Sequence, residues 1–254
     1  MSSLFDLTDR VAIVTGAGRG IGKALALGLA QAGADVVVVA RTAADVEKTA
    51  EEIRAVGRRS LPLAVDVEDN EQVVGMVDTA AKEFNRIDIL VNNVGGGPKR
   101  PALEHGQRFL EAIMRLNVTS TFLCSKAVAK VMIEQGKGSI INIASVVGRG
   151  NMPDFLAYAV SKDAVITLTH RLSLEWVKYN IRVNAVAPGY VATEMASEWF
   201  KMDPDLAAEM KRIPMGRPAK PEEIVGGVIY LASDASDYVT GKTIAIDGGL
   251  TRQV

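Results

Sequence analysis

Short, nearly continuous apolar runs recur along the chain, separated by longer stretches with helical spacing. The runs are Val11–Thr15, Val36–Ala40, Leu61–Val65, Ile87–Val91, Ser139–Ala144, Ile181–Ala187 and Thr243–Ile246. They are uniformly apolar rather than alternating, as strands read when helices cover both faces of a sheet. The stretches between them carry helix marks. Thr42-x-x-Asp45 reads as a capping box ahead of a Val46, Ala50, Ile53 stripe. Pro221, followed by Glu222 and Glu223, opens a helix whose apolar stripe is Ile224, Val228 and Leu231. Strand–helix alternation throughout predicts an α/β protein with a doubly wound parallel sheet of seven strands flanked by helices. Ligands then bind beyond the carboxyl ends of the strands. No repeat, low-complexity tract or linker divides the chain, so residues 1–254 read as one domain.

The first strand runs into Thr15-Gly16-Ala17-Gly18-Arg19-Gly20-Ile21-Gly22. Glycines allow a sharp turn and a close approach to a pyrophosphate, and the helix that follows offers free N–H groups to it. The spacing is T-G-x-x-x-G-x-G; G-x-G-x-x-G is not met, because Ile21 and Lys23 stand where a third glycine is needed. A plain strand–helix turn is the alternative. Further on, Tyr158 and Lys162 lie four residues apart, on one helix face. An adjacent ammonium favours the phenolate, so the pair can exchange a proton with a hydroxyl or carbonyl oxygen. Ser145 ends the fifth strand and puts a hydroxyl on the same sheet edge. Composition removes other classes. A net charge of −1 over 254 residues gives no basic field for nucleic acid. No apolar run is long enough for a bilayer, and Met1–Arg10 lacks the apolar core of a secretory signal. The one cysteine, Cys124, cannot form an internal disulfide and reads as a small buried hydrophobe, fitting a reducing, cytoplasmic compartment. Neither His105 nor His170 belongs to a cluster with metal-ligand spacing, so no metal is expected.

Taken in order, Thr15–Gly22, Asp66-Val67, Asn92-Asn93-Val94-Gly95, Asn117, Ser145, Tyr158 with Lys162, and Pro188-Gly189 through Thr193 resemble the short-chain dehydrogenase/reductase family, in its branch of about 250 residues. Val94 is a small departure, at a place where the family more often has alanine. The resemblance implies a Rossmann domain and hydride transfer between a nicotinamide and a ketone or secondary alcohol. Ser145 then orients the substrate oxygen, and Tyr158 gives or takes its proton. Lys162 lowers the tyrosine pKa and holds the nicotinamide ribose. Asn117 anchors a water relay, or is a buried amide satisfied by backbone. Gly16, Gly20 and Ile21 line the pyrophosphate. Asp66 and Val67 meet the adenine, although Asp66 also reads as a helix cap. Asn93 and Gly95 lie near the ribose or serve a turn, and Gly189, Val191 and Thr193 meet the nicotinamide. The nearest resemblance is to 3-oxoacyl-thioester reductases, with sugar, polyol and steroid dehydrogenases close behind. A non-catalytic NADP sensor on the same fold is disfavoured by the presence of all four catalytic positions.

The second strand ends Val39-Ala40-Arg41-Thr42, without the acid that holds a ribose 2′-hydroxyl in NAD-dependent sites. Asp35 lies at the other end of that strand, about 16 Å away. The expectation is that no carboxylate repels a 2′-phosphate, that Arg41 grips it, and that Thr42 and Arg19 assist. NADP(H) is favoured over NAD(H); the alternative is that both arginines are solvated charges. Residues 190–214, with Trp199, Phe200, Met202 and Met210, read as a substrate lid or as ordinary packing. Lys99, Arg100 and Arg149 can meet an anionic substrate or carrier, or be solvated. The resemblance also implies a homotetramer, through Gln107–Gln135, Phe155–Tyr179 and the residues after Pro221.

Overall fold

The structure, a computed structural model, describes residues 4–148, 152–193 and 210–251. Seven parallel strands form one sheet in the order β3-β2-β1-β4-β5-β6-β7. They are β1 (Val11–Thr15), β2 (Asp35–Ala40), β3 (Ser60–Ala64), β4 (Ile89–Asn92), β5 (Gly138–Ile143), β6 (Ile181–Pro188) and β7 (Thr243–Ile246). Each predicted run finds its strand, with ends displaced by up to two residues. Successive residues feed opposite faces. Ala12, Val14, Val36 and Val38 join one buried cluster, whereas Val11, Ile13, Val37 and Val39 join the other. That two-sided burial is why these strands carry no polar alternation.

The first face is covered by α1 (Gly20–Gln31), α2 (Ala43–Ala55) and α7 (Glu222–Ala232). The second is covered by α3 (Asn70–Phe84), α5 (Ser120–Gln135) and the end of α6 (Leu156–Trp176). A shorter helix, α4 (Gln107–Met114), runs into α5 through a π-helical turn over Arg115–Thr119. The edge strand β3 is only half-buried and contains Pro62, paired in register with Val38. Among the described residues, no helix is long and apolar enough to cross a membrane.

Two local expectations are corrected. Thr42 precedes α2 as its cap residue, but its side chain makes no capping bond. Asp45 is a methylene shorter than the glutamate a capping box uses, so the reciprocal pair does not form. Asp66 does not cap α3. That role falls to Asp69, whose carboxylate accepts the Glu71 and Gln72 N–H groups, and Asp66 accepts the Glu68 N–H at 3.0 Å within the preceding turn.

Candidate active site

The strand order reverses on either side of β1, and a crevice opens at the carboxyl edge there. It holds a cavity of about 760 Å³. Gly16, at φ +65, turns the chain out of β1. A Cβ on Gly22 would collide with the Gly16 carbonyl oxygen, so only glycine lets α1 begin this close to the turn. No side chain caps α1, and its first turn holds no acid. Its leading N–H groups therefore face the cavity where Gly20, Ile21 and Gly22 line it, a cradle suited to a pyrophosphate. Thr15 braces the turn from below: its hydroxyl accepts the Asn93 N–H at 3.0 Å. The Asn93 side chain donates to the Thr15 carbonyl at 3.1 Å, which is turn chemistry within a cavity wall.

Of the residues singled out in the sequence, Gly16, Arg19, Gly20, Ile21, Arg41, Thr42, Asp66, Val67, Asn93, Gly95, Ser145, Tyr158, Lys162, Gly189, Val191 and Thr193 all line this cavity. Thr193 closes over the glycine loop, its methyl 3.4 Å from where a Gly20 Cβ would stand. Asn117 lies behind the wall rather than on it. It is fully buried in the π-helical turn. Its amide donates to the Gly96 carbonyl at 2.8 Å and the Ile113 carbonyl at 2.9 Å, and accepts the Gly96 N–H at 3.0 Å. The proposed lid falls mostly at 194–209, outside the described residues, and so does Arg149. The chain on either side of 194–209 is pinned: Ala192 N–H donates to the Ala219 carbonyl, and Ala219 N–H to the Tyr190 carbonyl.

Among the lining residues not assigned to the site from sequence are two carboxylates, Glu68 and Asp45. Asp45, in the first turn of α2, lines the same end as Arg19 and Arg41. The strand end itself carries no carboxylate, as expected, but Asp45 from α2 stands in the same cavity wall. Strand-end reasoning stops at Thr42, whereas α2 folds straight back onto the glycine loop. Asp35, as expected, points elsewhere and pairs with Arg58 at 2.8 Å. A second omission is a buried polar chain. The Asn92 amide donates to Ser125 and to Asn142, both at 2.9 Å, and the Asn142 amide donates to the Thr169 hydroxyl at 2.8 Å. This chain ties β4 and β5 to α5 and α6. The readable signal was an asparagine inside the apolar run Ile140–Ile143.

At the catalytic end, Ser145 and Tyr158 line the same cavity, and the Ser145 hydroxyl acts on the Tyr158 phenol to lower its pKa. Lys162 is buried, donates to the Ile143 carbonyl at 2.8 Å, and places its ammonium 5.8 Å from the centre of the Tyr158 ring. Burial pushes the phenol above its ordinary pKa, and the Ser145 hydroxyl opposes it. Burial also brings Lys162 down to about 8. In the protein chain alone, loss of hydration is thus the larger influence on the phenol. The other titratable oddity is structural: burial pushes the Cys124 thiol up to about 12, as for a packed hydrophobe. The sign for Lys162 is testable. Its folded value lies below the ordinary 10.5, so the unfolded chain binds more protons between about pH 8 and 10.5. Relative to Lys162→Met, the native chain should gain up to about 1.4 kcal/mol per pH unit across that window and nothing below it. Denaturant melts of both proteins at pH 7.5 and 9.5 measure this, and a pH-independent difference would contradict it.

A family model described as enoyl-(acyl carrier protein) reductase matches residues 16–251. The chain is 43% identical over 249 residues to the 2-dehydro-3-deoxy-D-gluconate 5-dehydrogenase of Escherichia coli (strain K12), covering 97% of each. It is 40% identical over 246 residues to a 3-oxoacyl-(acyl-carrier-protein) reductase of Synechocystis, covering 96% of this chain and 98% of that one. A solved gluconate 5-dehydrogenase from Burkholderia cenocepacia J2315, in complex with NADP and tartrate, is 39% identical with a TM-score of 0.93, covering 98% of both chains. With the glycine cradle and the Ser145–Tyr158–Lys162 grouping in one cleft, these likenesses show that the chain belongs to the short-chain dehydrogenase/reductase family and is an oxidoreductase acting on CH–OH groups.

Proposed function

We propose that the protein interconverts a ketone and a secondary alcohol with NADP(H), with Tyr158 as the proton donor and acceptor. The observation that carries this reading is the convergence of Ser145, Tyr158 and a buried, Ile143-anchored Lys162 on one cavity that begins in a glycine cradle. The residues fit the dinucleotide: an uncapped helix start suits the pyrophosphate, and Arg19 and Arg41 suit a 2′-phosphate. When bound, the cofactor supplies or takes hydride at its nicotinamide and, oxidised, adds a positive charge that favours the phenolate. Ser145 donates to the substrate oxygen and holds it against Tyr158. Tyr158 moves the proton to or from that oxygen. Lys162 has further N–H donors beyond the one given to Ile143, and they serve a ribose hydroxyl and the phenolate. Asn117 holds the Gly95–Gly96 wall in place; its bonds to Gly96 support that role ahead of a water anchor.

For the substrate, we favour a polyhydroxy acid, supported by relatives that act on 2-dehydro-3-deoxy-D-gluconate and on gluconate. Reduction of a 3-oxoacyl thioester is the second reading, supported by the Synechocystis relative. We also propose a homotetramer. Phe122 and Ile133 on α5, and Leu156, Val160 and Leu174 on α6, leave their apolar side chains exposed on the two helices expected to meet a partner. The lone buried thiol supports a reducing, cytoplasmic setting.

Tyr158→Phe should lower turnover by about 10²- to 10⁴-fold while NADPH affinity changes little. Stopped-time NADPH absorbance and calorimetry test the two halves, and near-native turnover would refute the acid–base role. With sugar acids, 3-oxoacyl thioesters, steroids and polyols offered side by side, the highest kcat/KM should fall on a sugar acid; a thioester at the top would select the second reading. Light scattering should return four chain masses, and a monomer would refute the assembly.

A further inference from the structure

The end of the cavity away from Tyr158 is walled by Gly18, Arg19, Ala40, Arg41, Thr42 and Asp45. Its spacing is tight. A Cβ added to Gly18 would stand 2.7 Å from the Asp45 Cβ and 3.5 Å from the Ala40 Cβ. The first turn of α2 therefore sits directly on the glycine loop, and the Asp45 carboxylate, one bond beyond that Cβ, is held at the loop's rim. Asp45 is half-buried there, whereas Arg19 and Arg41 are exposed.

Charge pairing marks these three residues out. On the neighbouring elements, Arg54 pairs with Glu47, Arg58 with Asp35 and Arg59 with Glu83. No ion pair among the described residues involves Arg19, Arg41 or the Asp45 carboxylate. Two cations and one anion thus face the same small volume with their charges uncommitted. The cations favour a 2′-phosphate. The carboxylate repels it and instead accepts a hydrogen bond from a bare ribose hydroxyl.

We propose that Asp45 is a cofactor-discriminating residue: standing at the rim beside Arg19 and Arg41, it limits the preference for the 2′-phosphorylated dinucleotide and keeps the site open to NAD(H). This rests on the NADP(H) reading above. One like-charge contact in water-exposed surroundings corresponds to about a fivefold change in affinity, and salt screens it.

The test is calorimetric binding of NADPH, NADH, 2′,5′-ADP and 5′-ADP to the native chain, Asp45→Asn and Arg41→Ala, at low and high salt. Asp45→Asn should tighten NADPH and 2′,5′-ADP about fivefold at low salt, leave NADH and 5′-ADP unchanged or weaker, and lose most of that gain at high salt. Asp45→Ser gives the same readout should the asparagine variant fold poorly. If the native chain prefers 2′,5′-ADP, Arg41→Ala removes the preference, and the Asp45 variants leave the NADPH-to-NADH ratio within twofold, the role of Asp45 is overturned and the NADP(H) reading stands. If the native chain does not distinguish 2′,5′-ADP from 5′-ADP and Arg41→Ala changes nothing, both fall together.

Discussion

The site depends on one buried bond, from the Lys162 ammonium to the carbonyl of Ile143. It joins α6, which carries Tyr158, to the strand that ends just before Ser145. An ammonium taken out of water is costly, and a carbonyl dipole offsets part of that cost. The remaining N–H donors stay turned to the cavity, so the fold holds a cation whose hydrogen-bonding capacity is only partly used by the chain. The Asn92–Asn142–Thr169 chain sets the same strand and helix against each other deeper in the core. Buried polar bonds of this kind tolerate little displacement, because any shift leaves a donor or acceptor unpaired. Ser145 and Tyr158 face one cavity because the elements bearing them are fixed from behind.

The two ends of the cleft are built by different means. At the pyrophosphate end, the backbone does most of the work. A left-handed glycine, a helix begun hard against it, and the Thr15 hydroxyl shape a helix start whose first N–H groups border the cavity. At the substrate end, connections do the work. Arg100 N–H reaches the Asp154 carbonyl at 2.6 Å, its guanidinium lies over the Phe109 ring, and Gly97 packs against Tyr158. The first arrangement suits a ligand part common to every dinucleotide. The second leaves room for side chains to set which alcohol enters.

Much of this was legible before any coordinates. A parallel sheet covered on both faces demands apolar residues at both parities, and runs this short, rich in valine and isoleucine, favour strands over buried helix, so all seven strands could be read from them. The glycine turn and the Tyr158–Lys162 spacing are local, and local geometry is what a sequence encodes most directly. What escaped depends on tertiary contact. The π-helical turn at Asn117 is held by Gly96, twenty-one residues earlier in the chain. Asp45 enters the cavity because α2 lands on Gly18. The phenol is pushed up rather than down because the amount of protein over a group, not its neighbour's identity, decides how much hydration it loses.

Pro62 has a consequence of its own. Val65 turns its N–H inward to the Ala40 carbonyl, so alternation along β3 puts Pro62 at an outward position, where the ladder needs no donor from it. The outer rim of the sheet thus lacks a hydrogen there, and an eighth strand cannot zip along it without a gap. Self-association by strand addition, the route toward fibrils, is blocked at that margin by a ring closure in one side chain.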